Sequence, residues 1–305
     1  MGPGQGRRRE KRTDEVAYTA LGYLGPYRLL NVVHTGHSSQ IWQAYDDGRQ
    51  RMVGIKTLTD RNKRDRDQIA LLKWEYQVGR TLSHPRLLNV FAFGVDRGTP
   101  YVAMEWFAAP NLKQRLLQGV ESLAPSLPAI IEAAADALLQ FHRKGWVHRD
   151  IKPDNFLWSD AGELKLIDFA LAVRRPRGIW KLFARKPKVQ GTRSYISPEQ
   201  LRGEVLDERA DIYSFGCMVY ELVTGKPPFT GSNAQELLNK HLKAAPPALE
   251  ASDRNVTPEF GQLVRRCLAK DRKLRPADME EFLRELRSIR LFKAPPAAVR
   301  SADKR

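Results

Sequence analysis

Between residues 27 and 106 apolar and polar positions alternate in five short runs: Tyr27–Val33, Ser39–Tyr45, Arg51–Leu58, Leu88–Val95 and Pro100–Trp106. A period of two sends successive side chains to opposite faces, so each run is predicted to be a strand of a sheet. Asp46-Asp47-Gly48 and Asp96-Arg97-Gly98 supply turns between neighbouring strands. One stretch breaks the alternation. From Asp65 to Leu82 the residues Leu72, Glu75, Gly79 and Leu82 recur at helical spacing and predict a single helix with Glu75 on its inward face.

After Ala108-Ala109-Pro110 the period changes to that of helices. Ser126 is placed to cap a helix through Ile130, Ile131, Ala134, Leu138 and Phe141, with Gly145 as its stop. Asp211 is expected to open a second helix, Ile212–Thr224, that Gly225 ends; Thr257-Pro258 opens a third, and Ala277–Ile289 forms an amphipathic last one. The pattern predicts an α+β fold of two lobes with a cleft between them: a basic disordered tail over 1–20, a sheet lobe over 21–107, a helical lobe over 108–290 and a loose tail over 291–305.

Composition adds one strong constraint. Lys and Arg number 51 against 35 Asp and Glu, a net charge of +16, so the surface should attract anions such as nucleotide, acidic protein or anionic lipid. No zinc-finger spacing or aromatic RNA-binding motif accompanies that charge, which argues against nucleic acid. Cys217 and Cys267 both fall inside apolar helical patterns and read as buried thiols of a reducing compartment. The chain opens without a signal-peptide pattern, and Ile212–Val223 is too short for a membrane span, so a cytoplasmic location is expected, with room for a membrane tether in a longer natural chain.

The chemistry is concentrated in His148-Arg149-Asp150-Ile151-Lys152-Pro153-Asp154-Asn155. In this run the chain resembles the eukaryotic-like, or Hanks-type, serine/threonine protein kinases, in their bacterial form. The resemblance implies phosphoryl transfer, which needs an oriented hydroxyl, dispersed charge on the transferred group and a metal held against the phosphates. In that chemistry Asp150 would accept a hydroxyl proton, Lys152 would touch the transferred phosphate, and Asn155 would offer an oxygen to a hard cation. The resemblance extends over about residues 27 to 290.

It implies roles for other residues. Asp168-Phe169-Ala170 is similar to the family's Asp-Phe-Gly, which makes Asp168 the second magnesium ligand beside Asn155. The alanine either fits the active backbone or restricts flipping of this segment. Val53-Gly54-Ile55-Lys56 resembles the strand whose lysine neutralises the ATP phosphates, with Glu75 as the carboxylate that holds Lys56. His34-Thr35-Gly36-His37-Ser38-Ser39-Gln40-Ile41 aligns with the glycine-rich loop, keeping only Gly36 of three glycines; its two histidines either face solvent passively or tune phosphate binding with pH. Met104, Glu105 and Phe107 would border adenine, with Ile41, Gly54 and Leu157 around the ring. Thr192 of Gly191-Thr192-Arg193-Ser194-Tyr195 marks the serine/threonine branch. Glu199 would pair with Arg275, and Asp211 would brace the backbone of His148–Asp150.

The resemblance therefore implies a kinase that uses ATP and Mg2+ to phosphorylate Ser or Thr of protein substrates. A pseudokinase is the main rival, fed by Ala170, the eroded glycine loop and Gly79, and a small-molecule or lipid kinase is a third reading. Gly79 stands one turn after Glu75, where relatives carry a leucine-like side chain. It predicts a packing gap, an easily displaced helix and separation of Lys56 from Glu75. Residues 169–191 contain no Ser, Thr or Tyr and no acid, but seven basic residues, Arg174, Arg175, Arg177, Lys181, Arg185, Lys186 and Lys188. One reading of this activation loop is a solvated, disordered basic stretch, with Thr192 and Ser194 beyond it as the remaining acceptors. The other is that Arg174–Lys188, with Ile179, Trp180, Leu182 and Phe183 interleaved, folds on an acidic partner, an acidic substrate or anionic lipid that takes the place of activating phosphorylation.

Overall fold

The computed structural model of the chain describes residues 22–175 and 190–294. Strand β1 (Gly22–Leu24) turns into β2 (Tyr27–Thr35), followed by β3 (Ser39–Asp46) and β4 (Arg51–Leu58). Helix α1 (Arg66–Gly79) intervenes before β5 (Val90–Asp96) and β6 (Thr99–Glu105). The strands form one antiparallel sheet in the order β1-β2-β3-β4-β6-β5. In β4 the period of two divides the labour. Val53 and Ile55 are buried with Tyr27, Ala44, Tyr101 and Ala103, leaving Gly54 and Lys56 on the face that lines the cleft.

Strand β1 was not expected, because three residues are too few to display alternation. Helix α1 starts where Asp65 accepts hydrogen bonds from the Asp67 and Gln68 N–H groups. It ends at Gly79, so the buried Leu82 belongs to the following turn and not to the helix.

The helical lobe comprises α2 (Leu112–Leu116), α3 (Val120–Leu123), α4 (Leu127–Arg143), β7 (Trp146–Val147), β8 (Phe156–Trp158), β9 (Leu164–Leu166) and β10 (Val173–Arg174). It continues with α5 (Pro198–Leu201), α6 (Glu208–Thr224), α7 (Ala234–Lys243), α8 (Leu249–Ser252), α9 (Pro258–Cys267) and α10 (Met279–Ser288). Its core is built on α4 and α6. Ile130, Ile131, Leu138 and Phe141 of α4 are fully buried, and each such side chain contributes about 1.5–3 kcal/mol through burial. Helix α6 is enclosed from Ala210 to Val223.

Two helix starts differ from expectation. Ser126 precedes α4 but makes no capping bond, because a 3-10 turn at Ala124–Ser126 runs straight into the helix. Helix α6 is capped by Asp207, whose side chain accepts from the Arg209 N–H. Asp211 lies inside the first turn instead, which frees its carboxylate for another task. Gly145 (φ +83°) and Gly225 (φ +77°) end α4 and α6 in the left-handed backbone that glycine adopts without penalty.

Among the described residues the helical stretch long and apolar enough to cross a membrane is Val120–Arg143, not Ile212–Val223, and half of it is buried in this lobe. Cys217 and Cys267 are buried and unbridged, and burial raises both thiol pKa values, that of Cys267 to about 12.

Candidate active site

Between the lobes lies a cleft of about 630 Å³, a size suited to a small organic ligand. Ile41 and Gly54 face it from the sheet and Leu157 from β8; Met104, Glu105 and Phe107 form its back; Lys56, Glu75, Lys152, Asn155 and Asp168 form its polar end. Gly54 is paired with Met104 across β4 and β6, and a Cβ added there would lie 3.2 Å from Met104 Cγ. Glycine leaves the methionine its room. The Glu105 carboxylate is spent elsewhere, 2.7 Å from Lys165 Nζ and accepting from Asn89 Nδ2 at 2.8 Å. Its backbone N–H donates to the Asn89 carbonyl at 2.8 Å, which leaves the Glu105 carbonyl to face a ligand.

Gly36 is not on the cleft wall. Its N–H donates to the Ser39 carbonyl at 2.9 Å and closes the β2–β3 turn, whereas His34 does line the cleft.

At the polar end Lys56 Nζ stands 2.7 Å from Glu75 Oε2 and 3.1 Å from Asp168 Oδ1. Burial acts to lower the ammonium's pKa, but the two carboxylates outweigh it and raise it above the ordinary lysine value. Burial raises Glu75, offset only in part by Lys56. For Asp168 burial is overcome by Lys56, and the pKa falls to about 2. The expected separation of Lys56 from Glu75 is therefore wrong, and so is the gap beside Gly79. A Cβ built on Gly79 would lie 2.3 Å from Val90 Cγ2. Val90, on β5, already fills the space.

Asp150 is held from several sides. Lys152 Nζ is 2.8 Å from its Oδ2, and both the Thr192 N–H (2.9 Å) and hydroxyl (2.8 Å) donate to its Oδ1. Lys152 Nζ in turn donates to Thr192 Oγ1 at 2.9 Å. A single 3-10 turn, Pro153–Asn155, brings Asn155 back so that Nδ2 donates to the Asp150 carbonyl at 2.7 Å. Arg149 adopts φ +72°, a left-handed backbone that costs a non-glycine residue about 1–2 kcal/mol. Asp211 secures it: its carboxylate accepts from the His148 N–H at 2.7 Å and the Arg149 N–H at 2.8 Å. Two bonds to a buried carboxylate contribute about 1.5–3 kcal/mol each and outweigh that cost. Gly191 (φ +123°) passes so close that a Cβ would lie 3.0 Å from the Arg149 carbonyl. Burial acts to raise the Asp211 pKa, but hydrogen bonding to His142 and the nearby histidines lowers it below the ordinary value.

Phe169 is buried, stacked 5.5 Å from Phe141 and edge-on to His148. Asp168 takes the strained φ of +64°, while Ala170 is not among the positive-φ residues. Its methyl group therefore carries no backbone penalty, as the milder reading of this alanine requires. Glu199 and Arg275 form a bidentate pair of 2.6 and 3.0 Å with almost no exposure.

Sequence reasoning missed Asn111 and Gln114, which line the cleft beside Asp154. Their signal was legible: an Asn followed three residues later by Gln forms a capping box at α2. Of the seven basic residues after Phe169, Arg174 and Arg175 are already engaged, Arg174 over the Trp146 ring and Arg175 with Glu208. Arg177, Lys181, Arg185, Lys186 and Lys188 lie outside the described residues, as do Ile179, Trp180, Leu182 and Phe183.

A two-lobed fold with this cleft, an ion-paired lysine and a braced Asp150 is that of a phosphotransferase. The protein kinase domain family matches residues 27–286, and the chain belongs to that family. It is 34% identical over 85% of its length to a probable serine/threonine-protein kinase of Streptomyces coelicolor. It is 32% identical over 86% to the serine/threonine-protein kinase PknL of Mycobacterium tuberculosis, and 30% identical over 91% to the serine/threonine-protein kinase pkn3 of Myxococcus xanthus. The chain spans 39%, 65% and 52% of the length of these three relatives. It is a protein kinase domain, similar to those of bacterial serine/threonine kinases.

Proposed function

We propose that the protein transfers the γ-phosphoryl group of ATP to Ser or Thr hydroxyls of protein substrates, with Asp150 as the group that orients the hydroxyl and accepts its proton. The observation that carries this reading is the constraint on the Asp150 carboxylate. Thr192 donates twice to the Asp150 Oδ1, while Lys152 at 2.8 Å and Asn155 Nδ2 at 3.3 Å hold Oδ2; the long Asn155 contact is the one an entering hydroxyl would displace. Adenine enters between Ile41, Gly54 and Leu157, beside Met104, with the backbone of Glu105 and Phe107 at its edge. Lys56, held by Glu75, draws the phosphates into line, and Lys152 disperses charge on the transferred group. Gly36 keeps the covering turn free of side chain.

Asn155 and Asp168 suit a magnesium ion. The Asn155 NH2 group is spent on Asp150, which leaves its carbonyl oxygen available, and Asp168 stays ionised at any physiological pH. A neutral oxygen with a carboxylate is a donor set for a hard cation that is otherwise held by substrate phosphates. Bound there, the metal would offset phosphate charge as the group departs.

Labelled ATP with magnesium and a generic protein acceptor tests the reading. Wild type should label the acceptor. Asp150→Asn should bind ATP yet lose about two to four orders of magnitude in rate, the usual contribution of a positioned proton acceptor. ATP binding with no transfer by wild type would instead mark a pseudokinase.

A finer reading concerns partners. With Arg174 and Arg175 engaged internally, five basic residues between 176 and 189 remain to meet an anionic surface, an acidic protein or lipid headgroups. Neutralising those five should weaken such binding and its salt dependence.

A further inference from the structure

Two indoles stitch helix α1 to the start of the activation segment. Trp74, the residue before Glu75, is half-buried, and its Nε1–H donates to the Ala172 carbonyl at 2.8 Å. Its ring meets Trp146 edge-on, centroids 5.8 Å apart at 82°. Trp146, on β7, returns the link: its Nε1–H donates to Thr81 Oγ1 at 3.1 Å, just past the end of α1. The Arg174 guanidinium lies 4.0 Å from a Trp146 ring centroid and donates to the Lys144 carbonyl at 3.0 Å. Strand β10 pairs with β7 through Val173 to Val147 and Arg174 to Trp146, and Arg175 pairs with Glu208 at the start of α6.

Successive helical residues project about 100° apart. Glu75 therefore reaches Lys56 while Trp74 reaches the segment that follows Asp168. A swing of α1 that parts Glu75 from Lys56 must also break the Trp74–Ala172 bond and separate the indoles. Arg149 is buried and donates to the Leu171 carbonyl at 3.3 Å, next to Ala172. Residues 169–191 contain no hydroxyl-bearing side chain that a phosphate could occupy.

We infer that Trp74 is the positioning residue that keeps the Lys56–Glu75 pair closed, so that the site is aligned without a phosphate on the activation segment. This rests on the reading of Lys56 as the lysine that holds the ATP phosphates.

Trp74→Phe keeps an aromatic ring and removes the donor. The whole chain, wild type and variant, is compared for binding of magnesium-ATP and of adenosine by calorimetry, for kcat and KM, and for thermal unfolding. Adenosine lacks the phosphates that Lys56 would hold. Trp74→Phe should lower ATP affinity and kcat by at least about fivefold, the worth of one hydrogen bond, with adenosine affinity unchanged. Trp146→Phe, which loses the bond to Thr81 and shortens the ring that meets Trp74 and Arg174, should change the same quantities in the same direction but less, and it carries the test if Trp74→Phe does not fold. Wild-type ATP affinity and kcat in a folded variant would overturn the inference. So would an equal loss of ATP and adenosine affinity with a lowered melting point, the mark of general damage. If wild type transfers no phosphate, the ATP-to-adenosine comparison still decides the latch, and only the kinase reading falls.

Discussion

Val90 stands where a side chain on Gly79 would begin, with its Cγ2 2.3 Å from the position a Cβ would take. A leucine at that helix position and a valine on β5 compete for one volume, and this chain gives the volume to the valine. Gly79→Leu should therefore lower stability by about 1–3 kcal/mol, the usual cost of overpacking, and should lower activity. Gly79→Leu combined with Val90→Ala should recover most of the loss. Urea unfolding of wild type and these two variants checks this. A Gly79→Leu protein more active than wild type would revive the idea of a gap.

The Lys56–Asp168 contact predicts a pH dependence of stability. Asp168 titrates at about 2 in the folded chain against an ordinary value of 3.8. A carboxylate with a depressed pKa adds stability that is complete above about pH 4 and disappears as pH falls toward 2. Lys56→Met removes the cation responsible. The variant should be less stable than wild type at pH 7, and the difference should narrow through that acid window. Denaturant unfolding at pH 7, 4 and 2.5 reads the narrowing directly, and a constant difference would refute the assignment.

The Glu199–Arg275 pair is buried and bidentate. Arg275→Ala leaves a carboxylate unpaired away from water and should cost about 3–5 kcal/mol. Replacing both partners, as in Glu199→Leu with Arg275→Met, should cost less than the single change, because no charge is stranded. A double-mutant cycle by chemical unfolding measures the coupling.

Ala170 carries no left-handed backbone and so no reason to be glycine. Ala170→Gly should reduce stability by about 0.4–1 kcal/mol through the greater freedom of the unfolded chain. It should not raise kcat. A marked gain in kcat would mean that the alanine restrains a motion the reaction uses.

The residues that line the candidate site were legible wherever they are contiguous in the sequence. His148–Asn155, Asp168–Phe169 and Gly191–Glu199 each hold their side chains at fixed local spacing, and a turn or strand of a few residues delivers them together whatever surrounds it. The strands and long helices were legible for a similar reason, since burial on one face imposes a period that survives in the sequence. Short pieces such as β1 and β10 carry too few residues for a period to show. The state of helix α1 was decided by tertiary structure alone. Val90 lies eleven residues beyond Gly79, on β5, and Ala172 lies ninety-eight beyond Trp74. No local pattern relates such partners, because packing depends on which volumes meet in space. That is why a glycine that reads as a gap along the chain is a filled contact in the fold, and why Lys56 and Glu75 stand together.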